Sequence, residues 1–430
     1  MRSRVALVLV LAALSFAIGI GVLRFTRSTP RPAMVVAPAI EAPAPDDSIG
    51  MRMLELFTGT RITAGNTVSV LLNGNATYSA LWADLRSAKR TITLQSYYAL
   101  PGAVADTLST ILIDRARAGV RVLVLFDAFG SQAMPRAWRD ALGRAGVRFV
   151  LLRRLSWSTL HNAANRSHVR AIVVDGRIGY TGGFGFADYW LGDGRRRDQW
   201  RESNVRVDGP AAPAIQSAFA AAWVEATGEL LTGEDFFPRR VVVPGEGGTQ
   251  AGLFFSAPTV GNTAAERFLS LMIAGARERL YVSSSYFVPN ADFRRLLKDA
   301  AARGIDVRVL TTSAITDVTT TWLAGRYYYE DLLAAGVRIF EYQPAMMHAK
   351  TMVVDGVWTS IGSLNFDNRS LAFNDEASLV VVDTSMGAHM EAVFRDDIGY
   401  SREMIRAEFR SRPWWMRARE MAAMLLARVL

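Results

Sequence analysis

The feature that most limits how this chain folds is repetition. Arg117-Ala-Gly-Val-Arg-Val-Leu-Val-Leu-Phe-Asp127 runs from a helix end through a glycine break into an apolar strand, and Ala302-Arg-Gly-Ile-Asp-Val-Arg-Val-Leu310 does the same. Continuous apolar strands of this kind belong in sheets covered on both faces. Ala145-Gly-Val-Arg-Phe-Val-Leu-Leu152 is matched by Ala335-Gly-Val-Arg-Ile-Phe-Glu-Tyr342, and Ser96-Tyr-Tyr-Ala-Leu-Pro101 by Ser285-Tyr-Phe-Val-Pro289. The offsets are 185, 190 and 189 residues. One pair alone would be coincidence. Three in the same order predict two copies of one α/β unit.

The copies converge on a third kind of segment, 180 residues apart. His168-Val-Arg-Ala-Ile-Val-Val-Asp-Gly176 is followed by Thr181-Gly-Gly-Phe-Gly185, and His348-Ala-Lys-Thr-Met-Val-Val-Asp-Gly356 by Ser360-Ile-Gly-Ser-Leu-Asn365. Alternate residues of a strand share a face, so each histidine and the cation two positions on point into one space. Asp175 and Asp355 precede glycine and are expected at turns. A single His-x-Lys strand would be an ordinary solvated edge. Duplication at matched spacing instead predicts two imidazoles and two cations around one point. That set suits a phosphodiester: cations neutralise the non-bridging oxygens, one imidazole attacks phosphorus, and the other protonates the leaving oxygen.

Composition narrows the alternatives. With 50% apolar and 21% charged residues, the 430-residue chain has material for sizeable cores, which excludes a disordered protein. The absence of cysteine excludes a thiol nucleophile and any cysteine-ligated metal. Imidazole chemistry must be run by His161, His168, His348 and His389, and only His168 and His348 sit in repeated contexts. No cluster has ligand spacing for zinc or magnesium, so no metal or other cofactor is expected. The net charge of +9 favours anionic partners.

On these residues the sequence resembles the phospholipase D superfamily, marked by two H-x-K-x4-D motifs, and within it the bacterial cardiolipin synthase branch. The likeness runs from Gly65 to the carboxyl end and includes Phe126-Asp-Ala-Phe-Gly-Ser131, Asn165-Arg-Ser-His168, Trp200-Arg-Glu-Ser-Asn-Val205 and Gly362-Ser-Leu-Asn-Phe-Asp-Asn-Arg-Ser370. The resemblance implies a duplicated α/β/α sandwich with a pseudo-twofold and the active site at the interface. It implies catalytic roles for His168, Arg170, Asp175, His348, Lys350 and Asp355, and phosphate binding by Ser363 and Asn365. It also implies that an acidic residue downstream of each motif, Glu202 and Glu376, orients that motif's histidine. The activity implied is the joining of two phosphatidylglycerols into cardiolipin and glycerol through a phosphohistidine. A hydrolytic phospholipase D or a nuclease is the alternative. Three residues depart from the pattern: Arg170 stands for Lys, Gly185 for the usual Asn, and Gln95 for a frequent Glu.

The ends carry the expected membrane contacts. Val5 to Leu23 are nineteen uncharged residues, about 28 Å as a helix, close to the hydrocarbon thickness. Residues 1–27 are therefore expected to be an uncleaved anchor in a bacterial inner membrane, and the Pro/Ala-rich residues 28–48 a tether. The two sandwich units are expected at 49–245 and 246–400, followed by a basic amphipathic helix over 401–430 broken at Pro413. Lipid is then the expected partner, phosphatidylglycerol above all, rather than nucleic acid.

Overall fold

Helices and strands alternate along the chain as the repeated pattern requires. The computed structural model describes residues 2–27, 42–44, 46–154, 164–239, 248–257 and 262–427, with side chains of the first segment described for 5–19. The first half contains α1 (Arg2–Arg27), α2 (Ser48–Thr58), β1 (Thr63–Leu72), α3 (Asn73–Ser87), β2 (Thr91–Ser96), α4 (Ala103–Arg117), β3 (Arg121–Asp127), α5 (Arg136–Arg144), β4 (Arg148–Leu152), β5 (Arg166–Ser167), β6 (Ala171–Val174), β7 (Ile178–Gly182), β8 (Trp200–Arg201), β9 (Ser203–Asp208) and α6 (Ala212–Thr227). The second contains β10 (Thr249–Ser256), α7 (Ala264–Gly275), β11 (Arg279–Ser284), α8 (Ala291–Ala302), β12 (Asp306–Thr312), α9 (Thr319–Arg326), α10 (Tyr329–Ala334), β13 (Arg338–Tyr342), β14 (Met346–Met347), β15 (Thr351–Val354), β16 (Trp358–Gly362), α11 (Asn368–Ala372), β17 (Asn374–Val382), α12 (Thr384–Gly399), β18 (Ser401–Glu403), α13 (Arg406–Arg410) and α14 (Trp414–Met424).

The duplication is visible in the strand order. One half runs β4-β3-β2-β6-β7-β9-β1 and the other β13-β12-β11-β15-β16-β17-β10, with β18 added at the outer edge. Antiparallel pairing of β1 with β10 joins the halves into one sheet. The parallel pairs β2–β3 and β11–β12 hold the expected apolar runs. Gly119 and Gly304 have φ of 89° and 87°, the left-handed turn that ends the preceding helix without a Cβ penalty.

Helices cover both faces. Leu81, Leu85, Leu108 and Leu112 from α3 and α4 pack with Ile92, Leu94, Val122 and Val124 on one face of the first half. Ile215, Phe219 and Trp223 of α6 and Met390 and Phe394 of α12 share a core that includes strand residues of both halves, among them Val205, Val207, Leu379 and Val381. The site therefore sits in a frame that neither half completes alone.

Several expectations change at this level. Asp175 and Asp355 do not join the histidines. Each sits in a tight hairpin turn at positive φ, beyond the strand that follows its motif. The Asp175 carboxylate accepts the backbone N–H groups of Lys89, Arg90 and Thr91, and that of Asp355 accepts those of Arg277, Glu278 and Arg279. These aspartates clasp the hairpin to the start of the neighbouring strand, so the catalytic role expected for them is corrected to a structural one. The carboxyl end is also not one helix: β18, α13 and α14 replace it, with Pro413 at the start of α14 as expected.

At the amino end, residues 5–19 of α1 are exposed. Among the described residues, no helix is long and apolar enough to cross a membrane. Most of the expected tether, the 245/246 boundary, His161 and Arg428 lie outside the described residues.

Replacing either turn aspartate by alanine leaves three backbone donors without their acceptor. Asp175→Ala and Asp355→Ala are each expected to lower stability by about 1–3 kcal/mol. Chemical unfolding of each variant checks this, and an unchanged midpoint for both would contradict the clasp.

Candidate active site

The site is built by exchange between the halves. The short strand β5, just before His168, pairs in parallel with the start of β17 in the other half, and β14, just before His348, pairs with β8. The backbone N–H of His168 donates to the Asp375 carbonyl at 3.0 Å, and that of His348 to the Arg201 carbonyl at 2.7 Å. Each histidine is thus laid beside the residue preceding the opposite half's glutamate.

The side chains follow that exchange. His168 Nδ1 lies 3.0 and 3.1 Å from the Glu376 carboxylate oxygens, and His348 Nδ1 lies 2.5 Å from Glu202 Oε2. The expected partners are the right glutamates with the connections crossed: each orients the histidine of the other motif. A carboxylate on Nδ1 fixes the tautomer that leaves Nε2 free for chemistry.

The glutamates are held in turn. Glu202 Oε1 accepts the Ser203 N–H at 3.0 Å, and the Glu202 backbone N–H donates to Asn73 Oδ1 at 2.9 Å. The preceding Arg201 is buried and paired with Asp397 of α12 at 2.7 Å. Glu376 accepts from Ser363 Oγ and, at 3.2 Å, from Asn374 Nδ2. Ser363 Oγ also accepts the Ala377 N–H. Its hydroxyl donates to Glu376. Asn365 Oδ1 accepts weakly from the Tyr286 N–H at 3.4 Å.

The two cations are buried between these pairs. Arg170 Nε donates to the Phe184 carbonyl at 2.8 Å and Nη1 to the His168 carbonyl. Lys350 Nζ donates to Ser285 Oγ at 2.8 Å and to the His348 carbonyl. Both cations reach both glutamates electrostatically. Burial pushes Glu202 and Glu376 up to about 7 and Lys350 down to about 7. Burial, reinforced by repulsion from Arg170 and Lys350, holds both imidazoles well below their ordinary value.

Sequence reasoning missed the aromatic walls. His348 lies against Trp200 at 4.6 Å and Trp190 at 5.6 Å between ring centres, and His168 against Tyr97 at 5.4 Å. No local periodicity marks these rings as neighbours of the histidines. Gln95 is buried and donates to Ser167 Oγ at 2.7 Å, beside the first motif. His389 is exposed on α12, away from this cluster.

Two histidines at pseudo-equivalent positions between short strands, each tied to the other half's glutamate, define a phospholipase D-like site. The solved phosphatidylserine synthase of Haemophilus influenzae Rd KW20 has the same fold, with a TM-score of 0.67 at 13% identity over 88% of this chain and 99% of that one. The family model described as "Cardiolipin synthase, PLD-like domain" matches residues 269–398. A cardiolipin synthase of Geobacillus kaustophilus (strain HTA426) is 33% identical over 371 residues, 86% of this chain and 73% of its own length. A cardiolipin synthase A of Pseudomonas syringae pv. syringae (strain B728a) is 35% identical over 344 residues, covering 79% and 70%. The chain belongs to the cardiolipin synthase family of the phospholipase D superfamily.

The lowered Lys350 value has a measurable consequence. In the free enzyme its charge is lost as pH rises through about 7, and kcat/KM reports that state. An alkaline fall in kcat/KM near that pH is expected. Lys350→Arg should move the fall upward, because guanidinium stays charged. A pH profile unchanged by that substitution would remove Lys350 from the phosphate-binding group.

Proposed function

We propose that the protein is a phosphatidyltransferase that joins two phosphatidylglycerols into cardiolipin and glycerol. The observation that carries this reading is the crossed His–Glu pairs with Arg170 and Lys350 buried between them. The relatives' names supply the substrate class.

A donor phosphodiester enters between Arg170 and Lys350, which take its non-bridging oxygens, while the Asn365 amide adds a donor. In this reading His168 Nε2 attacks phosphorus. The P–O bond to the departing glycerol breaks as His348, protonated at Nε2, gives that oxygen its proton. A neutral His348 remains beside a phosphohistidine. It then takes the proton of an acceptor's glycerol hydroxyl, whose oxygen attacks phosphorus and releases His168. Bonds and protons balance over the cycle. With water as acceptor the same steps yield phosphatidic acid.

The division at 49–245 and 246–400 is retained as a proposal, as is attachment to a bacterial inner membrane. Two features support membrane attachment. Residues 2–27 form one helix rich in Val, Leu and Ala. On α14, Trp414, Trp415 and Met421, and Leu425 just after it, are exposed beside exposed Arg417 and Arg419, while Glu420 and Ala423 face the protein. Exposed indoles beside arginines suit the headgroup layer of an anionic bilayer. Arg412 turns inward to Glu420 at 2.8 Å and takes no part.

Expression in a cardiolipin-null host, followed by lipid analysis, tests the reaction. Cardiolipin should appear with the wild type and vanish with both His168→Ala and His348→Ala. Arg170→Ala should lose on the order of 10²–10³ in rate, while Arg170→Lys is tolerated. Phosphatidic acid without cardiolipin would replace transfer by hydrolysis, and full activity of either histidine variant would overturn the two-histidine mechanism.

Deletion of residues 1–48 should weaken binding to vesicles of anionic lipid at low salt without abolishing it. A truncated protein that stays wholly unbound would remove α14 as a membrane contact.

A further inference from the structure

The two halves differ most where the duplication should make them alike. Around Glu376 and His168 the second half supplies Ser363, Asn365, Ser370 and Asn374. Equivalent strand pairs, Gly182 with Asn204 and Gly362 with Ser378, fix the correspondence across the hairpins. The counterparts in the first half are Gly183, Gly185, Trp190 and Trp200. Two glycines and two indoles stand where four polar side chains stand in the other copy.

The replacement is sterically closed. A Cβ at Gly185 would lie 2.7 Å from Cη2 and Cζ3 of Trp190 and 2.9 Å from the Tyr98 carbonyl oxygen. A Cβ at Gly183 would lie 2.5 Å from Glu202 Oε2. The Trp190 indole is fully buried, and its Nε1–H points to Glu202 Oε2 at 3.4 Å. It meets the His348 ring edge-on and is itself braced by Trp200 at 4.7 Å. One side chain therefore touches the empty volume, the glutamate and the histidine.

We propose that Trp190 is the positioning residue of the first half: it occupies the space left by Gly185, braces Glu202 and fixes the ring of His348, so that Gly185 and Trp190 act as one interdependent pair. The missing amide at 185 is thereby compensated by an indole from the next turn. The rate measurement below rests on the transphosphatidylase reading; the spectroscopic one does not.

Trp190→Phe keeps most of the ring and removes the N–H. In proton NMR of the full chain, the deshielded Nδ1–H signals of His168 and His348 are assigned by their loss in the His→Ala variants. Trp190→Phe should shift the His348 signal and leave that of His168 in place. An unmoved His348 signal would overturn the proposal.

On phosphatidylglycerol vesicles the same variant should lose about tenfold in rate, in the range seen when a supporting hydrogen bond behind a reactive group is removed. Its acidic limb in kcat/KM should move to higher pH, because the indole N–H favours the ionised Glu202. A uniform loss at every pH would make Trp190 merely structural. Gly185→Asn alone should be damaging. Adding Trp190→Ser, which copies the Asn365–Ser370 arrangement, should recover part of the loss, the Tyr98 carbonyl contact limiting the rest. A double variant no better than Gly185→Asn would refute the pairing. A wild type inactive on phosphatidylglycerol would refute the transphosphatidylase reading alone, and the NMR signal would still decide the role of Trp190.

Discussion

The bond between each histidine and the opposite half's glutamate is the constraint from which the rest of the site follows. A buried carboxylate is costly unless charge and hydrogen bonds offset its desolvation. Glu202 and Glu376 are both fully buried, and each is reached by donors from its own half and an imidazole from the other. Neither half can bury its glutamate favourably by itself. The short pairs β5–β17 and β8–β14 are the backbone form of the same dependence. The pairing of β1 with β10 and the core shared by α6 and α12 then make the halves one rigid support.

The same requirement explains why the halves were free to diverge around a fixed centre. What both copies must preserve is a cation two residues after a histidine and a carboxylate on the partner strand. The cation's head group needs backbone carbonyls, and these exist in both halves whatever the side chains: Arg170 uses those of Phe184 and His168, and Lys350 uses that of His348. Lysine and arginine are both served by such acceptors, although they differ in reach and planarity. The departure at 170 therefore leaves a complete half-site.

Much of this was legible in the sequence, and for a physical reason. Strand burial, helix-ending glycines and the His-x-cation alternation are local patterns, so the two-unit fold and the residues His168, Arg170, His348 and Lys350 could be found by spacing, whereas Glu202 and Glu376 come from the family resemblance. Which glutamate serves which histidine is not local. It depends on β5 and β14, each of two residues, crossing between the halves, and no periodicity records that. Asp175 and Asp355 lie at the turns that the following glycines mark, and the catalytic role attached to them comes from the family resemblance; four residues of extended strand carry each carboxylate away from its histidine. The Ser363–Glu376 hydrogen bond is equally hidden, since the two residues lie thirteen positions apart and meet only across a hairpin.

The electrostatics of the site also bear on how an acid is made from imidazoles held below their ordinary value. Arg170 and Lys350 contribute two positive charges, and Glu202 and Glu376 at most two negative ones. A phosphodiester bound between the cations adds a negative charge at their head groups. It offsets the repulsion that holds His168 and His348 below their ordinary value, since that repulsion comes from the same two cations. The imidazole that does not face phosphorus is then the group best able to take up a proton. In the proposed reaction, substrate entry raises the proton affinity of that imidazole, which takes its proton from solvent, and departure of the product removes the charge that favours it. Burial depresses both imidazoles whatever is bound, whereas the part due to Arg170 and Lys350 is the part that a bound phosphodiester offsets, so in the proposed reaction protonation follows occupancy through the two cations.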